Sequence, residues 1–170
     1  MVLFDQIDKK QLKELLVKCW MTHDGSWFYN CARKLGIDEA NKLNKAAIKT
    51  LSTIEMQRIK KAMGSENSKL RTFEQLKDFI INGFSILKGD FMDFVYTFPE
   101  KNRIHWKMNR CFAYNGMKMF GFEKEYECGL IYRISCWLEA LGIKHKIVPK
   151  INKCLLNSRS ICSGDIILEL

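Results

Sequence analysis

Proline is nearly absent from this chain: 170 residues contain only two prolines, while hydrophobic residues make up 47%. This composition is typical of a globular protein and excludes a largely disordered one. No apolar run is long enough to span a bilayer, and the first residues lack the basic and then apolar arrangement of a secretion signal. The length fits one domain. We therefore expect a single cytoplasmic domain over residues 1–170.

The chain also lacks a dense basic block, although 28 Lys and Arg residues against 19 Asp and Glu residues give it a net charge of +9. Its lysines alternate with acids along the first predicted helix, as at Lys13, Glu14 and Lys18. No RNA-binding aromatic motif or helix-turn-helix signature occurs. A solvated, lysine-rich surface explains this charge better than a nucleic-acid partner does, so an adaptor that binds nucleic acid or another protein is only the third function considered.

Helical periodicity covers the first half of the chain in three segments. Asp8 is the predicted N-cap of the first, which Gly36 ends, and the second runs over residues 38–63. Thr72 and Gln75 form a predicted capping box for the third, which stops at Gly89. We therefore expect a layer of helices over residues 1–89.

The second half of the chain mixes strand and helix patterns. Apolar and polar residues alternate over residues 92–98 and 103–108, which predicts a hairpin, and residues 144–151 with 161–168 predict another. Helical spacing returns between them, over residues 111–120 and 126–141. The predicted fold is α+β, with N-terminal helices packed on an antiparallel sheet of two hairpins, in the order α-α-α-β-β-α-α-β-β. Residues 90–170 form the half expected to hold a ligand or a metal.

An aromatic segment in the first helix is the first candidate site. Helical spacing places His23 on one face with Trp20 and Trp27, and Asp24 is next to it. Gly25 inside a helix costs about 1 kcal/mol relative to alanine, which suggests that another group approaches this backbone closely. The functional interpretation is a polar site in an apolar pocket, with His23 and Asp24 as acid–base candidates and a ligand-binding set of Trp20, His23, Asp24, Trp27 and Phe28. The alternative is a core histidine and a hydrogen-bonded aspartate without a chemical role.

The cysteines form the second candidate site. Their odd number, seven, argues against a disulfide framework in a cytoplasmic chain. Four lie at the ends of predicted elements, namely Cys111, Cys128, Cys154 and Cys162. Zinc prefers four nitrogen or sulfur ligands in a tetrahedron, which thiolates from helix starts and a hairpin can supply. No CxxC knuckle is present, so reduced core cysteines are the alternative.

Four segments that span most of the chain carry a resemblance: Trp20…His23-Asp24-Gly25…Trp27-Phe28, Ile54-Glu55…Arg58-Ile59-Lys60-Lys61, Met108-Asn109-Arg110-Cys111 and Cys128-Gly129-Leu130. Together they resemble an uncharacterised prokaryotic family related to L-2-amino-thiazoline-4-carboxylate hydrolases. This resemblance implies, as one possible activity, hydrolysis of a small cyclic substrate at a C–N or C–S bond. Such a reaction needs a nucleophile or a metal-bound water beside an acid or base, for which Cys128 and the pair His23–Asp24 are candidates.

More distantly, the C-terminal half is similar to the 4-vinyl-reductase or hydrocarbon-binding domain, which shares its fold with transport-particle subunits and haem nitric-oxide sensors. In that family a cysteine at a helix start and a C-x7-C pair in the last hairpin are associated with zinc. Cys128, Cys154 and Cys162 occupy these three places, whereas Cys111 matches only the nearer family. Here Gly164-Asp165 follows the second cysteine of the pair, while the family commonly has Gly-Asp inside the turn.

The two resemblances imply a helical layer on an antiparallel sheet, with an apolar ligand pocket between them. The leading prediction is a non-enzymatic sensor or carrier of a small apolar or cyclic molecule, forming a homodimer and holding zinc or iron at the thiolates. The alternative is the hydrolase. A metal with three protein ligands and a water favours the hydrolase, and a closed four-thiolate site favours a structural metal.

Overall fold

A computed structural model describes residues 2–170. Within that range the elements follow the order α1 (Leu3–Gln6), α2 (Lys9–Leu35), α3 (Ile37–Ala62), α4 (Phe73–Leu87), β1 (Asp93–Thr97), β2 (Arg103–Arg110), α5 (Phe112–Phe120), α6 (Gly129–Ala140), β3 (Lys144–Val148), α7 (Leu155–Arg159) and β4 (Cys162–Glu169). The predicted α+β class and the order of the main elements are confirmed. The short helices α1 and α7 are additions to the predicted order.

Capping groups in the sequence set the ends of the long helices. The Asp8 carboxylate accepts a hydrogen bond from the backbone N–H of Gln11 at 2.8 Å, which satisfies one of the free donors in the first turn of α2. Gly36, with φ of +86°, ends α2 and separates it from α3. Thr72 and Gln75 form both hydrogen bonds of the capping box at the start of α4. The predicted caps are therefore confirmed.

The four strands form one antiparallel sheet in the order β1-β2-β4-β3. The hairpin of β1 and β2 and the pairing of β3 with β4 are both as predicted. The two pairs join along β2 and β4, whose register runs from Arg103 opposite Ile167 to Met108 opposite Cys162. The segment between Cys154 and Cys162, which belongs to the connection of the predicted second hairpin, contains helix α7.

The core lies between the helices and one face of the sheet. Inward-facing side chains of β2 and β4 are buried there, namely Ile104, Trp106, Ile166 and Leu168. Leu76 of α4 and Leu138 of α6 pack against them and are almost fully removed from water. Such burial contributes about 25 cal/mol per Å² of apolar surface. None of the helices in residues 2–170 is long and apolar enough to cross a membrane.

The buried face of α2 differs from the predicted one. The helix buries Val17, Phe28 and Ala32. His23 is exposed, and Leu16 and Trp27 are 59% and 44% exposed, so this face of α2 does not enclose His23 in an apolar pocket. The reason is that apolar residues occur on several sides of α2, including Leu15 and Trp20. The pattern therefore selects no single face, and packing against α3 decides the orientation.

Candidate functional site

An apolar cavity of about 110 Å³ lies between the helices and the inner face of the sheet. An engineered apolar cavity of roughly 150 Å³ in another protein takes up benzene, so this smaller space has room for a few carbon atoms, and a longer chain has to extend out of it. Four methionines and seven aromatic residues contribute to its wall: Met21, Met56, Met92, Met108, Phe79, Phe84, Phe94, Tyr96, Trp106, Phe112 and Trp137. Methionine side chains adapt to irregular shapes, which suits a wall that accepts a guest.

Phe84 of α4 organises the aromatic part of this wall. Its ring centroid lies 4.7 Å from that of Tyr96, 5.4 Å from that of Phe94 and 5.5 Å from that of Trp137. Phe94 and Tyr96 point inward from β1, whereas Trp137 comes from α6. Tilted and edge-on aromatic contacts of this kind are favourable beyond the area they bury. They connect α4, α6 and the sheet on one side of the cavity.

A buried ion pair forms another part of the wall. The Glu55 carboxylate on α3 accepts hydrogen bonds from Arg133 Nε at 3.0 Å, from Arg133 Nη2, and from Trp137 Nε1 at 2.6 Å. The side chains of Glu55 and Arg133 are only 7% and 15% exposed. The Arg133 guanidinium carbon also lies 4.7 Å from the ring centroid of Trp20 and 5.4 Å from that of Trp137. The positive charge of Arg133 is thus neutralised and enclosed by aromatic rings.

The sequence reasoning missed this ion pair. Glu55 lies on the buried face of α3 beside Ser52 and Met56, and Arg133 is the single basic residue of the largely apolar helix α6. A single positive charge among the apolar residues of a helix is a signal, because buried charges need partners. The partners lie 78 positions apart, so local spacing does not connect them.

Two residues of the predicted ligand set lie beside this ion pair and not in the cavity wall. Trp20 covers Arg133, as described above. Desolvation by neighbouring side chains raises the pKa of the exposed Asp24, and the positive charge of Arg133 opposes that shift, so Asp24 lies near the guanidinium. The residue that α2 contributes to the cavity wall is Met21.

The other predicted residues of this set lie apart from the cavity. His23 and Trp27 are exposed on α2. Phe28 is buried in a different cluster, where its ring meets that of Tyr126 edge-on at 5.6 Å. Gly25 has no atom within 4 Å of the position that a Cβ would occupy, so the expected close approach to its backbone is wrong. The structure therefore does not bring the five predicted residues into one pocket.

The four cysteines predicted as metal ligands lie in one region of the fold. Cys111, Cys128 and Cys154 are the N-cap residues of α5, α6 and α7, and Cys162 is the first residue of β4. The Cys111 sulfur accepts a hydrogen bond from the backbone N–H of Tyr114 at 3.5 Å. The sequence argument that these cysteines lie at the ends of elements is thus confirmed.

Electrostatic coupling shows that the four thiols are close to one another. Burial raises the pKa of Cys128 to about 12, and negative charge on Cys162, Cys111 or Cys154 adds to that shift. Burial likewise raises the pKa of Cys111 to about 11, with contributions from Cys154 and Cys162. Charge interactions between thiolates decay with distance, so these contributions require proximity. At neutral pH the Cys111 and Cys128 thiols are therefore protonated.

A metal site is not formed by this arrangement. Across residues 2–170, no three or more His, Cys, Asp and Glu side chains are placed so that they could hold a metal ion. The donor type fits zinc, because buried sulfurs are the ligands of structural zinc sites. The cysteine side chains are not arranged around a common point that an ion could occupy. Zinc or iron therefore stays a prediction, and no chemical step is derived from it.

Hydrogen bonds fix the loop that precedes Cys128. The Asn41 side chain on α3 donates to the carbonyl oxygen of Glu125 at 3.0 Å and accepts from the backbone N–H of Glu127 at 3.1 Å. The Tyr126 hydroxyl accepts from the backbone N–H of Gly129 at 3.1 Å. The start of α6 is therefore held against α3, which positions Cys128 and, one turn later, Arg133.

These features define a class: a small α+β protein with an internal apolar cavity, a buried ion pair in the cavity wall and a cluster of four buried or partly buried cysteines. The chain belongs to the family of unknown function DUF6125, whose sequence profile matches residues 5–159. No curated protein and no solved structure matches the chain. The resemblances to the aminothiazoline-carboxylate hydrolases and to the hydrocarbon-binding domain stay predictions.

Proposed function

We propose that the protein binds a small apolar molecule in the cavity between its helices and its sheet, as a carrier or a sensor. The observation that carries this proposal is the cavity itself, whose wall consists mainly of methionine, aromatic and aliphatic side chains. Ligand sites are typically concave, mostly apolar and supplied with only a few polar groups. Here those groups are Arg133, which Glu55 already neutralises, and Lys88.

Transfer of apolar groups from water into the cavity favours binding, and this contribution grows with the number of carbon atoms in the ligand. Each CH₂ group moved from water into an apolar site contributes about 0.8 kcal/mol, against which the loss of translational and rotational freedom must be set. For a chain of about eight carbons this gain is roughly 6 kcal/mol, which alone corresponds to a dissociation constant of tens of micromolar, and the cost of association moves it to the millimolar range or weaker. Affinities in this range are measurable with purified protein.

The test uses 1-octanol, which is apolar along its chain and uncharged. Trp106 and Trp137 line the cavity, so their fluorescence should change on titration and reach a plateau. Octanol should also raise the unfolding temperature, because a ligand that binds only the folded state stabilises it in proportion to the logarithm of its saturation. A linear, non-saturating response with no thermal shift would contradict the proposal.

Gly83 offers a matched pair of variants for this test. It lies in α4 at the cavity wall, and a Cβ there would meet only Ile59 Cδ1, at an ordinary contact distance of 3.7 Å. Gly83→Ala should therefore fold and still bind octanol, whereas Gly83→Leu should fill the cavity and abolish binding. Circular dichroism and the unfolding temperature show whether both variants are folded. Octanol binding that survives in a folded Gly83→Leu variant counts against the cavity as the site.

The hydrolase alternative is favoured by one separate observation. Ser135 on α6 donates a hydrogen bond to His145 Nε2 on β3 at 2.7 Å, because His145 Nδ1, 3.2 Å from the carbonyl oxygen of Ile143, must carry the ring proton. A serine beside an oriented imidazole is the arrangement of an activated nucleophile. The pair lies outside the cavity wall. Labelling by a fluorophosphonate probe that Ser135→Ala abolishes supports this alternative, and no labelling removes it.

We also propose that the cysteine cluster takes up a thiophilic ion such as zinc. One feature supports this: the four cysteines lie in one region of the fold, at the starts of α5, α6, α7 and β4. Elemental analysis of protein purified without chelator should find about one metal ion per chain. The ion should be lost in Cys154→Ser/Cys162→Ser and kept in the control Cys19→Ser/Cys31→Ser. An equal metal content in both double variants counts against the cluster. The predicted homodimer is checked by light scattering of the same samples.

A further inference from the structure

We propose that the ligand is an amphipathic anion, such as an aliphatic carboxylate, whose apolar chain occupies the cavity and whose charged head lies at Lys88. This inference rests on the proposed function, because it specifies the ligand of the same cavity. It is carried by the position of Lys88 between the apolar cavity and a polar cleft, and by the charges around that cleft.

The apolar cavity and the polar cleft adjoin. Both are lined by Phe84 and Lys88, which lie at the C-terminal end of α4. Lys10, Lys13 and Asp90 line the rest of the cleft together with backbone near residue 89. A molecule that extends from the apolar wall past Lys88 therefore reaches lysine side chains and solvent. An apolar cavity followed by a polar cleft suits a molecule with an apolar chain and one polar end.

The charges of the cleft favour an anionic end. Lys10 pairs with Asp90 at 3.1 Å, and this pair is well exposed. Lys13 Nζ donates to the carbonyl oxygens of Ser85 and Lys88, each at 3.1 Å. Within residues 2–170, neither Lys13 nor Lys88 forms an ion pair with a carboxylate.

Lys88 is the cation best placed for a bound head group. Its ammonium donates to the carbonyl oxygen of Phe94 at 2.7 Å and lies 4.5 Å above the Phe94 ring, which is part of the cavity wall. A carbonyl satisfies a hydrogen bond of the ammonium and leaves its charge uncompensated, with further N–H donors free. The nearby Glu14 carboxylate is already engaged by Lys18 at 3.1 Å and by the backbone N–H of Asp90 at 2.7 Å.

The other cation in the cavity wall is less suited to this role. Arg133 donates two hydrogen bonds to Glu55, so a carboxylate beside it would meet a negative charge that is already present. Asp24, which is exposed on α2 near Arg133, adds to that repulsion when it is ionised. The anionic end is therefore expected at Lys88, and the apolar end toward Arg133.

The test compares octanoate with 1-octanol at neutral pH, since the two have equal chain length and differ in the charge of the head. We expect octanoate to bind about fivefold more tightly at low salt, the factor that an exposed ion pair supports, and the preference to shrink in high salt. Lys88→Met should remove the preference while octanol still binds, and Lys88→Arg should keep it. Lys146→Met, on the opposite face of the sheet, removes one charge elsewhere and should leave the preference unchanged.

The outcomes separate this inference from the proposed function. If neither compound binds wild-type protein, the proposed function fails, and the inference fails with it. If octanol binds as tightly as octanoate, or if folded Lys88→Met keeps the full preference, only the anionic head at Lys88 is overturned. If Lys146→Met loses the preference for octanoate to the same extent as Lys88→Met, the assignment of the anionic head to Lys88 is also overturned. The preference would then depend on net charge alone.

Discussion

Arg133 on α6 and Glu55 on α3 form a two-point ion pair, buried in the cavity wall and joined by the indole N–H of Trp137. The pair links segments 78 positions apart in the chain. It also sets the position of α6, which supplies Leu130, Ile131 and Ile134 to the cavity wall. Breaking the pair should therefore lower both the free energy of unfolding and the affinity for a ligand in the cavity.

Removing one charge of this pair should lower the free energy of unfolding much more than removing both charges. Arg133→Met leaves the Glu55 carboxylate buried without a cation, which we expect to lower the free energy of unfolding by about 3–5 kcal/mol. In Arg133→Met/Glu55→Gln the neutral amide oxygen still accepts the hydrogen bond from Trp137, so most of the loss should be recovered. Urea unfolding of the three proteins measures this difference. A double variant no more stable than the single one would show that the buried charge is not the cause.

Two glycine-to-alanine changes should have opposite effects. A Cβ at Gly164 on β4 would lie 2.5 Å from the Trp106 ring and also too close to the carbonyl oxygen of Val148, so Gly164→Ala should destabilise the protein by about 1–3 kcal/mol. Gly25 in α2 has open space at that position, and Gly25→Ala should stabilise by about 0.5–1 kcal/mol through helix propensity. Thermal unfolding of both variants provides the measurement. Equal shifts in the same direction would refute this assignment of close packing at Gly164.

Thiol reactivity should follow burial and pKa. Cys19 is exposed, whereas Cys128 has its pKa raised to about 12 by burial and by the neighbouring thiols. Because the thiolate is the reactive form, iodoacetamide at mildly alkaline pH should modify Cys19 early and Cys128 last. Peptide mass spectrometry over time gives the order. Unfolding in urea should make the rates similar, and a fast reaction of Cys128 in folded protein would mean that it is neither buried nor protonated.

Alkaline pH should weaken the fold through the same cysteines. Burial raises the pKa of Cys111 to about 11 and that of Cys128 to about 12, above the ordinary value of 9.0 that applies to the unfolded chain. Their contribution is therefore fully present below about pH 9 and is lost as the pH rises toward the folded-state values. Each thiol can account for up to about 1.4 kcal/mol per pH unit in that window.

The check is urea unfolding at about pH 8 and about pH 10, where the unfolded chain binds fewer protons than the folded one. Cys128→Ala should show a smaller loss of unfolding free energy between the two conditions than wild type does. Cys19→Ala should show the same loss as wild type. The prediction fails if Cys128→Ala and wild type lose equal amounts.

Local patterns predicted most of the architecture. Several features act within a few residues, namely the caps at Asp8 and Thr72, the break at Gly36 and the two alternating segments. They can therefore be recognised in the sequence without knowledge of the rest of the fold. The same holds for the placement of the four cysteines at the ends of elements, since element boundaries are local features.

The parts that were predicted wrongly or missed depend on contacts between distant segments. His23 and Trp27 were assigned to an inward face, but α2 carries apolar residues on several sides and its orientation is chosen by α3. The pairing of Glu55 with Arg133 and the position of Lys88 beside the cavity arise only when α3, α4 and α6 meet. Residue spacing along one helix contains no information about contacts between different helices.

The strand order gives β4 a particular place in the assembly of the molecule. Among the elements of residues 2–170, β4 comes last in sequence and lies between β2 and β3, which have no hydrogen-bonded ladder with each other. During synthesis on the ribosome, β3 therefore has no strand partner, and β2 keeps one open edge, until residues 162–169 emerge. Open edges of this kind invite pairing with other nascent chains. The partly synthesised protein should therefore expose these strand edges until β4 inserts between β2 and β3.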